Sequence, residues 1–155
     1  MTPGYLLSGS LIVIAENKMA QPSAHEALIY LMVVMSAADR DMTDAELAII
    51  GDTIRSWPVF QEFDDNRIIE VARQCQQILQ EDDGLERILN AVRDTVPARL
   101  HDTAYALAVE VVAADRHVEP EEKRLLHIVR SRLHLEPLVA AAIERTAQAR
   151  KRALG

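Results

Sequence analysis

Cysteine occurs once in this chain, at Cys75, so no disulfide can form within it. That excludes the cystine-stapled scaffolds of small secreted proteins and fits a reducing compartment, with Cys75 expected as a small core residue. Aromatic residues make up only 4% of the chain, glycine occurs five times, and alternating β-branched runs are scarce. Little is left from which to build a sheet, and the apolar residues fall at helical spacing. No glycine-rich phosphate loop, no HExxH helix and no Ser or Cys nucleophile beside a base can be found. Cations are the minority charge, with 17 Lys and Arg against 24 Asp and Glu, giving a formal net charge of -7. A surface of that sign repels phosphate backbones, which excludes nucleic acid as a partner class. Long apolar runs are also wanting. The segment "YLLSGSLIVIA", Tyr5 to Ala15, is too short to span a bilayer, and no Lys or Arg precedes Lys18. It is expected to pack as ordinary structure, without membrane insertion, in a cytoplasmic protein.

What is present is a chain of 155 residues, 49% of them hydrophobic, enough to bury a core in a single domain over residues 1–155. The periodicity predicts an all-α bundle of about seven helices. "SAHE" at Ser23 and "TDAE" at Thr43 are capping boxes that open the first two helices, which run to Ala38 and to Trp57, where Pro58 stops the second. Asp64 and Asp65 precede a third helix whose Ile68, Ile69, Ala72, Cys75, Ile78 and Leu79 are read as one apolar stripe. A fourth helix follows the turn "EDDG" and ends before Pro97. The fifth spans about 100–114, the sixth opens at Pro120, and the seventh carries Arg145, Arg150, Lys151 and Arg152 towards its end, where cations oppose the helix dipole.

Two stretches match at a spacing of 76 positions: "AADRDMTDAE" from Ala37 and "AADRHVEPEE" from Ala113. His25 falls on His101, Leu31 on Leu107, Asp39 on Asp115 and Glu46 on Glu122. The match reads as an internal duplication of a helix, acidic turn, helix unit, with repeat units at about 23–57 and 99–134. Two such units facing each other would bury a shared core and set the acidic turns at comparable positions.

Each turn has the makings of a hard-cation site. Asp39, Asp41 and Thr43 offer oxygens at alternate positions and Glu46 adds one from the first turn of the next helix, a set suited to calcium or magnesium. It is not an EF-hand, because the twelfth position from Asp39 is Ile50. In the second turn Asp115, His117, Glu119 and Glu122 form a mixed nitrogen and oxygen set that manganese or zinc would also tolerate. The competing reading needs no metal: Thr43 with Glu46, and Glu119 with Glu122, are complete helix starts, with Arg40 and Arg116 neutralising the aspartates. His25, His101, His127 and His134 are expected in capping or structural roles.

The paired pattern resembles the tellurite-resistance TerB-like family over roughly Gln21 to Leu135, carried by Asp39 with Glu46 and by Asp115 with Glu122. Arg40 and Arg116 depart from it, standing where the family usually has Gly. The resemblance implies a compact helical bundle, divalent metal bound by the acidic turns, and a cytoplasmic part in resistance to tellurite and other stresses. It also implies protein partners, membrane-bound resistance proteins among them, and no catalysis. The alternatives are a metal-dependent hydrolase, with water activated on the metal, and a purely structural helical interaction domain. A solvent-open pocket lined by both acidic turns is the feature expected of the hydrolase, and an apolar groove beside them that of a binding module.

Overall fold

The computed structural model describes residues 21–37, 41–114 and 118–155. Among these it forms seven α-helices and no strand: α1 (Ala24–Ala37), α2 (Asp44–Ser56), α3 (Ile68–Leu79), α4 (Gly84–Thr95), α5 (His101–Ala113), α6 (Pro120–Arg132) and α7 (Pro137–Arg150). The segment Tyr5 to Ala15 lies outside the described residues. Single 3-10 turns at Pro58–Phe60, Asp65–Arg67 and Ala98–Leu100 lead between helices.

The helix starts follow from their caps. At α1 the Ser23 N–H donates to Glu26 Oε1 at 2.8 Å and the Glu26 N–H donates to Ser23 Oγ at 3.1 Å. α2 opens on the same reciprocal pair between Thr43 and Glu46, at 2.9 and 3.1 Å. It closes at Trp57, extended ahead of Pro58 and half-buried against the core. Asp64 caps where the sequence suggests, accepting from the Asn66 N–H, but it opens a 3-10 turn and α3 itself begins only at Ile68.

Every residue of α1 from Ala27 to Met35 is buried. A helix with no solvent face must lie in the middle of its domain, and α1 packs against α3, α4 and α5. α5 is the second central element, with Ala104, Tyr105, Leu107, Ala108, Val109, Val111 and Val112 buried, and it carries α6 and α7 on its outer side. Full burial of aliphatics such as Leu28, Ile29 and Leu31 contributes roughly 1.5–3 kcal/mol each. Cys75 is buried too, its thiol within 3.6 Å of the Tyr30 carbonyl, and burial pushes it up to about 12.

One expectation for α3 fails. Ile69 is 52% exposed, while Ile68, Val71, Ala72 and Cys75 form the buried stripe. At about 100° per residue Ile69 stands a quarter-turn away from Ile68, and Val71 completes the face instead. The two matched histidines tie down loops: His25 Nε2 lies 2.9 Å from the Val59 carbonyl with its ring against Phe60 and Phe63, and His101 Nε2 lies 2.9 Å from the Val96 carbonyl. At the end of the chain, Arg150 and Lys151 reach the Glu110 carboxylate at 3.4 and 3.2 Å and fasten α7 to α5.

Candidate metal centre

Four helix ends meet at one place. The last turns of α1 and α5 supply Met35, Ser36 and Val111, with Ala114 just beyond α5; the first turns of α2 and α6 supply Ala45, Glu46 and Glu122, and the second turn of α2 adds Ile49. Together they border a cleft of about 210 Å³, so the acidic residues expected to correspond, Glu46 and Glu122, face the same space. The packing of α1 on α5 is what brings them together, since each helix leads into its own acidic turn.

Of the other residues read as ligands, Asp39, Asp115 and His117 lie outside the described residues. Asp41, Thr43 and Glu119 are exposed at the helix starts. Both oxygens of Thr43 serve the start of α2: the hydroxyl accepts the Glu46 N–H at 3.1 Å and the carbonyl accepts the Leu47 N–H at 3.0 Å. At α6 the Glu119 N–H donates to Glu122 Oε1 at 3.1 Å, and the Glu119 carbonyl accepts the N–H groups of Glu122 and Lys123. The capping that the sequence suggested for Glu46 and Glu122 is thus present. It does not exclude ligation, because an ionised carboxylate offers two oxygens and about four lone-pair sites.

The fit to a cation can be stated from the donors. Carboxylate oxygens suit a hard divalent ion such as calcium, which takes about six to eight of them. Among the described residues no three His, Cys, Asp or Glu side chains gather at one point. Glu46 and Glu122 alone supply two carboxylates, fewer than such a shell takes. Sequence reasoning missed the walls of this cleft, Met35, Ser36, Ile49, Val111 and Ala114. A signal for them was there, since Met35 and Val111 stand 76 positions apart, as Glu46 and Glu122 do.

A second, apolar cleft lies beside this one, lined in part by Val112 and Ala113 of α5 and by Val118. A pocket between the acidic turns and an apolar groove are present together, so the two features do not separate a hydrolase from a binding module.

The family model described as "Tellurite resistance protein TerB" matches residues 25–145. The chain belongs to the TerB family. The matched span runs from the first turn of α1 into α7 and includes both acidic turns and every residue lining the Glu46 and Glu122 cleft of this TerB protein. Comparison with the curated proteins and with the solved structures gave no match. No helix among the described residues is long and apolar enough to cross a membrane.

Proposed function

We propose that this TerB protein is a non-catalytic, cytoplasmic module that binds a divalent metal ion and serves tellurite resistance and stress response through protein partners, membrane-bound resistance proteins among them. The observation that carries the reading is the convergence of Glu46 and Glu122, from two separate helix starts, on one cleft. Family membership supports the link to tellurite resistance.

The acidic turns supply the driving force. Asp39, Asp41, Asp44 and Glu46 crowd one turn and Asp115, Glu119, Glu121 and Glu122 the other, so like charges are held close. A bound cation supplies compensating positive charge. Calcium or magnesium fits the oxygen donors of the first turn, and His117 extends the range of the second to manganese or zinc. The chain's own part is to hold the carboxylates at fixed helix starts, so that binding changes the stability and surface charge that a partner reads.

Thermal melts of the full chain with calcium, magnesium, manganese or chelator test this. If a metal binds the native state alone, a free concentration one hundredfold above its Kd adds roughly 2.7 kcal/mol, or about 5–10 °C for a domain of this size. The combined variant Asp39→Ala with Asp115→Ala should lose the metal-dependent part, as should Glu46→Gln with Glu122→Gln. If the metals shift neither protein, and the variants lose equal stability with and without them, the turns only cap helices and the metal reading fails.

A further inference from the structure

The larger cleft beside the acidic turns, bounded by α5, α6 and α7, has a volume of about 360 Å³, within the range of small-molecule sites. Its floor is apolar: Val109 and Val112 from α5, Leu126 from α6 and Ala147 from α7. Its rim is not. Lys123, His127 and Arg130 follow one another along the face of α6 that borders the cleft, at the spacing of successive helical turns.

The charge balance of that rim points one way. Among the described residues the cleft holds a single carboxylate, Glu144, and it is already engaged: Tyr105 donates its hydroxyl proton to Glu144 Oε2 at 2.5 Å, and Arg130 Nη1 stands 3.6 Å from the same oxygen. Burial first, then the neighbouring Glu144, hold the Tyr105 hydroxyl well above its ordinary value, so it remains a donor. Lys123 and His127 are exposed at the mouth and meet no carboxylate partner among the described residues. On a chain of net charge -7 this is a patch of opposite sign set over an apolar hollow.

We propose that this cleft is a binding site for a small organic anion with an apolar body, its acid group held by Lys123 and His127 and its hydrocarbon or aryl part laid against Val112, Leu126 and Ala147. The site is separate from the Glu46 and Glu122 cleft. No residue lines both: at the end of α5 Val112 and Ala113 face one and Val111, with Ala114 just beyond the helix, faces the other, and at the start of α6 Lys123 borders one and Glu122 the other.

The test uses octanoate as probe, with octan-1-ol and acetate as comparators, by calorimetric titration and amide shift mapping on the full chain in the presence of chelator. Octanoate should bind saturably and shift the amides of Val112, Leu126 and Ala147. The alcohol lacks the charge and should bind about tenfold more weakly; acetate lacks six methylenes, each contributing about 0.8 kcal/mol when buried, so its loss should exceed about a hundredfold. Lys123→Glu and Lys123→Gln, at an exposed position, should each weaken octanoate about tenfold. Arg152→Glu, with a charge change equal to that of Lys123→Glu, should leave it unchanged, and wild-type-like melting of all three variants confirms folding. Equal affinity for octanoate and octan-1-ol, indifference to both Lys123 changes, or no saturable octanoate binding would each overturn the proposal. With no metal in the experiment, any of these results leaves the metal reading standing.

Discussion

Gly84 opens α4 against the end of α3, and replacing it with alanine is a severe local perturbation. A Cβ built there would lie 2.0 Å from the carbonyl oxygen of Ile78, 2.8 Å from its carbonyl carbon and 3.0 Å from the Cα of Leu79. Ordinary carbon to carbonyl-oxygen contacts are about 3.3 Å or longer, so the two helices must part by roughly 1.3 Å. All three neighbours are backbone, and no rotamer change relieves them. The backbone does not have positive φ here, so the penalty is steric. Because α4 also packs on α1 and α6, the displacement passes into the core. Overpacking through side chains costs roughly 1–3 kcal/mol, and a backbone clash belongs at the top of that range, so Gly84→Ala should cost about 3 kcal/mol. For a chain of this length that is a fall in Tm of roughly 6–12 °C. Gly51→Ala in α2 is the matched control. Its Cβ meets only the flexible end of Arg55, at 3.0 Å. The helical gain of roughly 1 kcal/mol is then set against weakening of the exposed Arg55–Asp65 pair, worth about 0.2–1 kcal/mol, for a net effect between zero and slightly stabilising. Urea and thermal melts by circular dichroism read both. A Gly84→Ala stability within about 1 kcal/mol of wild type would refute the backbone clash at the α3–α4 turn.

Three further outcomes are expected. Burial alone would raise the Glu26 carboxyl, but the Ser23 N–H and the Arg67 guanidinium at 2.7 Å hold it below the usual carboxylate range. The stabilisation is therefore complete above the unfolded value, about 4.3, and is lost as pH falls through the lower native one. Arg67→Gln should lower stability modestly at neutral pH, with the gap to wild type closing in acid, and a gap that persists at the lowest pH of the melts would show that the ion pair is not its source. Cys75, fully buried and with its thiol pushed up to about 12, should resist iodoacetamide in native protein and react once urea unfolds it; rapid native labelling by mass spectrometry would contradict the burial. Thr43→Ala removes the acceptor of the Glu46 N–H and should cost about 1 kcal/mol in chemical melts, without any dependence on metal if capping is its sole role.

Much of this architecture is written locally. Ser23 with Glu26, Thr43 with Glu46 and Pro120 mark helix starts within a few residues of where they occur, because caps depend on atoms three positions apart. Pro58 and Pro97 mark ends for the same reason. Ile69 was misjudged because residue type alone does not fix which side of a short helix faces inward, and Val71 decided it. The histidines are another case: His25 reaches Val59, 34 positions on, a contact that local spacing does not encode. For the candidate site, the pairing of Glu46 with Glu122 was legible from the repeated segment. The walls around them were only hinted at by the same spacing, since they form where α1, α2, α5 and α6 meet, and the cleft of Lys123 and Tyr105 was not legible, since it exists only once α5, α6 and α7 have packed.

The complete enclosure of α1 bears on how this sequence can vary. A helix at a domain surface tolerates change at the outward positions of every turn, so its record of substitution carries a rhythm of three and four. From Ala27 to Met35 no such outward position exists. Drift there is confined to apolar exchanges of nearly equal volume, or to paired changes with α3, α4 or α5. A saturation scan of α1 should therefore show nine successive intolerant positions, Ala27 to Met35, in place of the three-and-four rhythm of a surface helix.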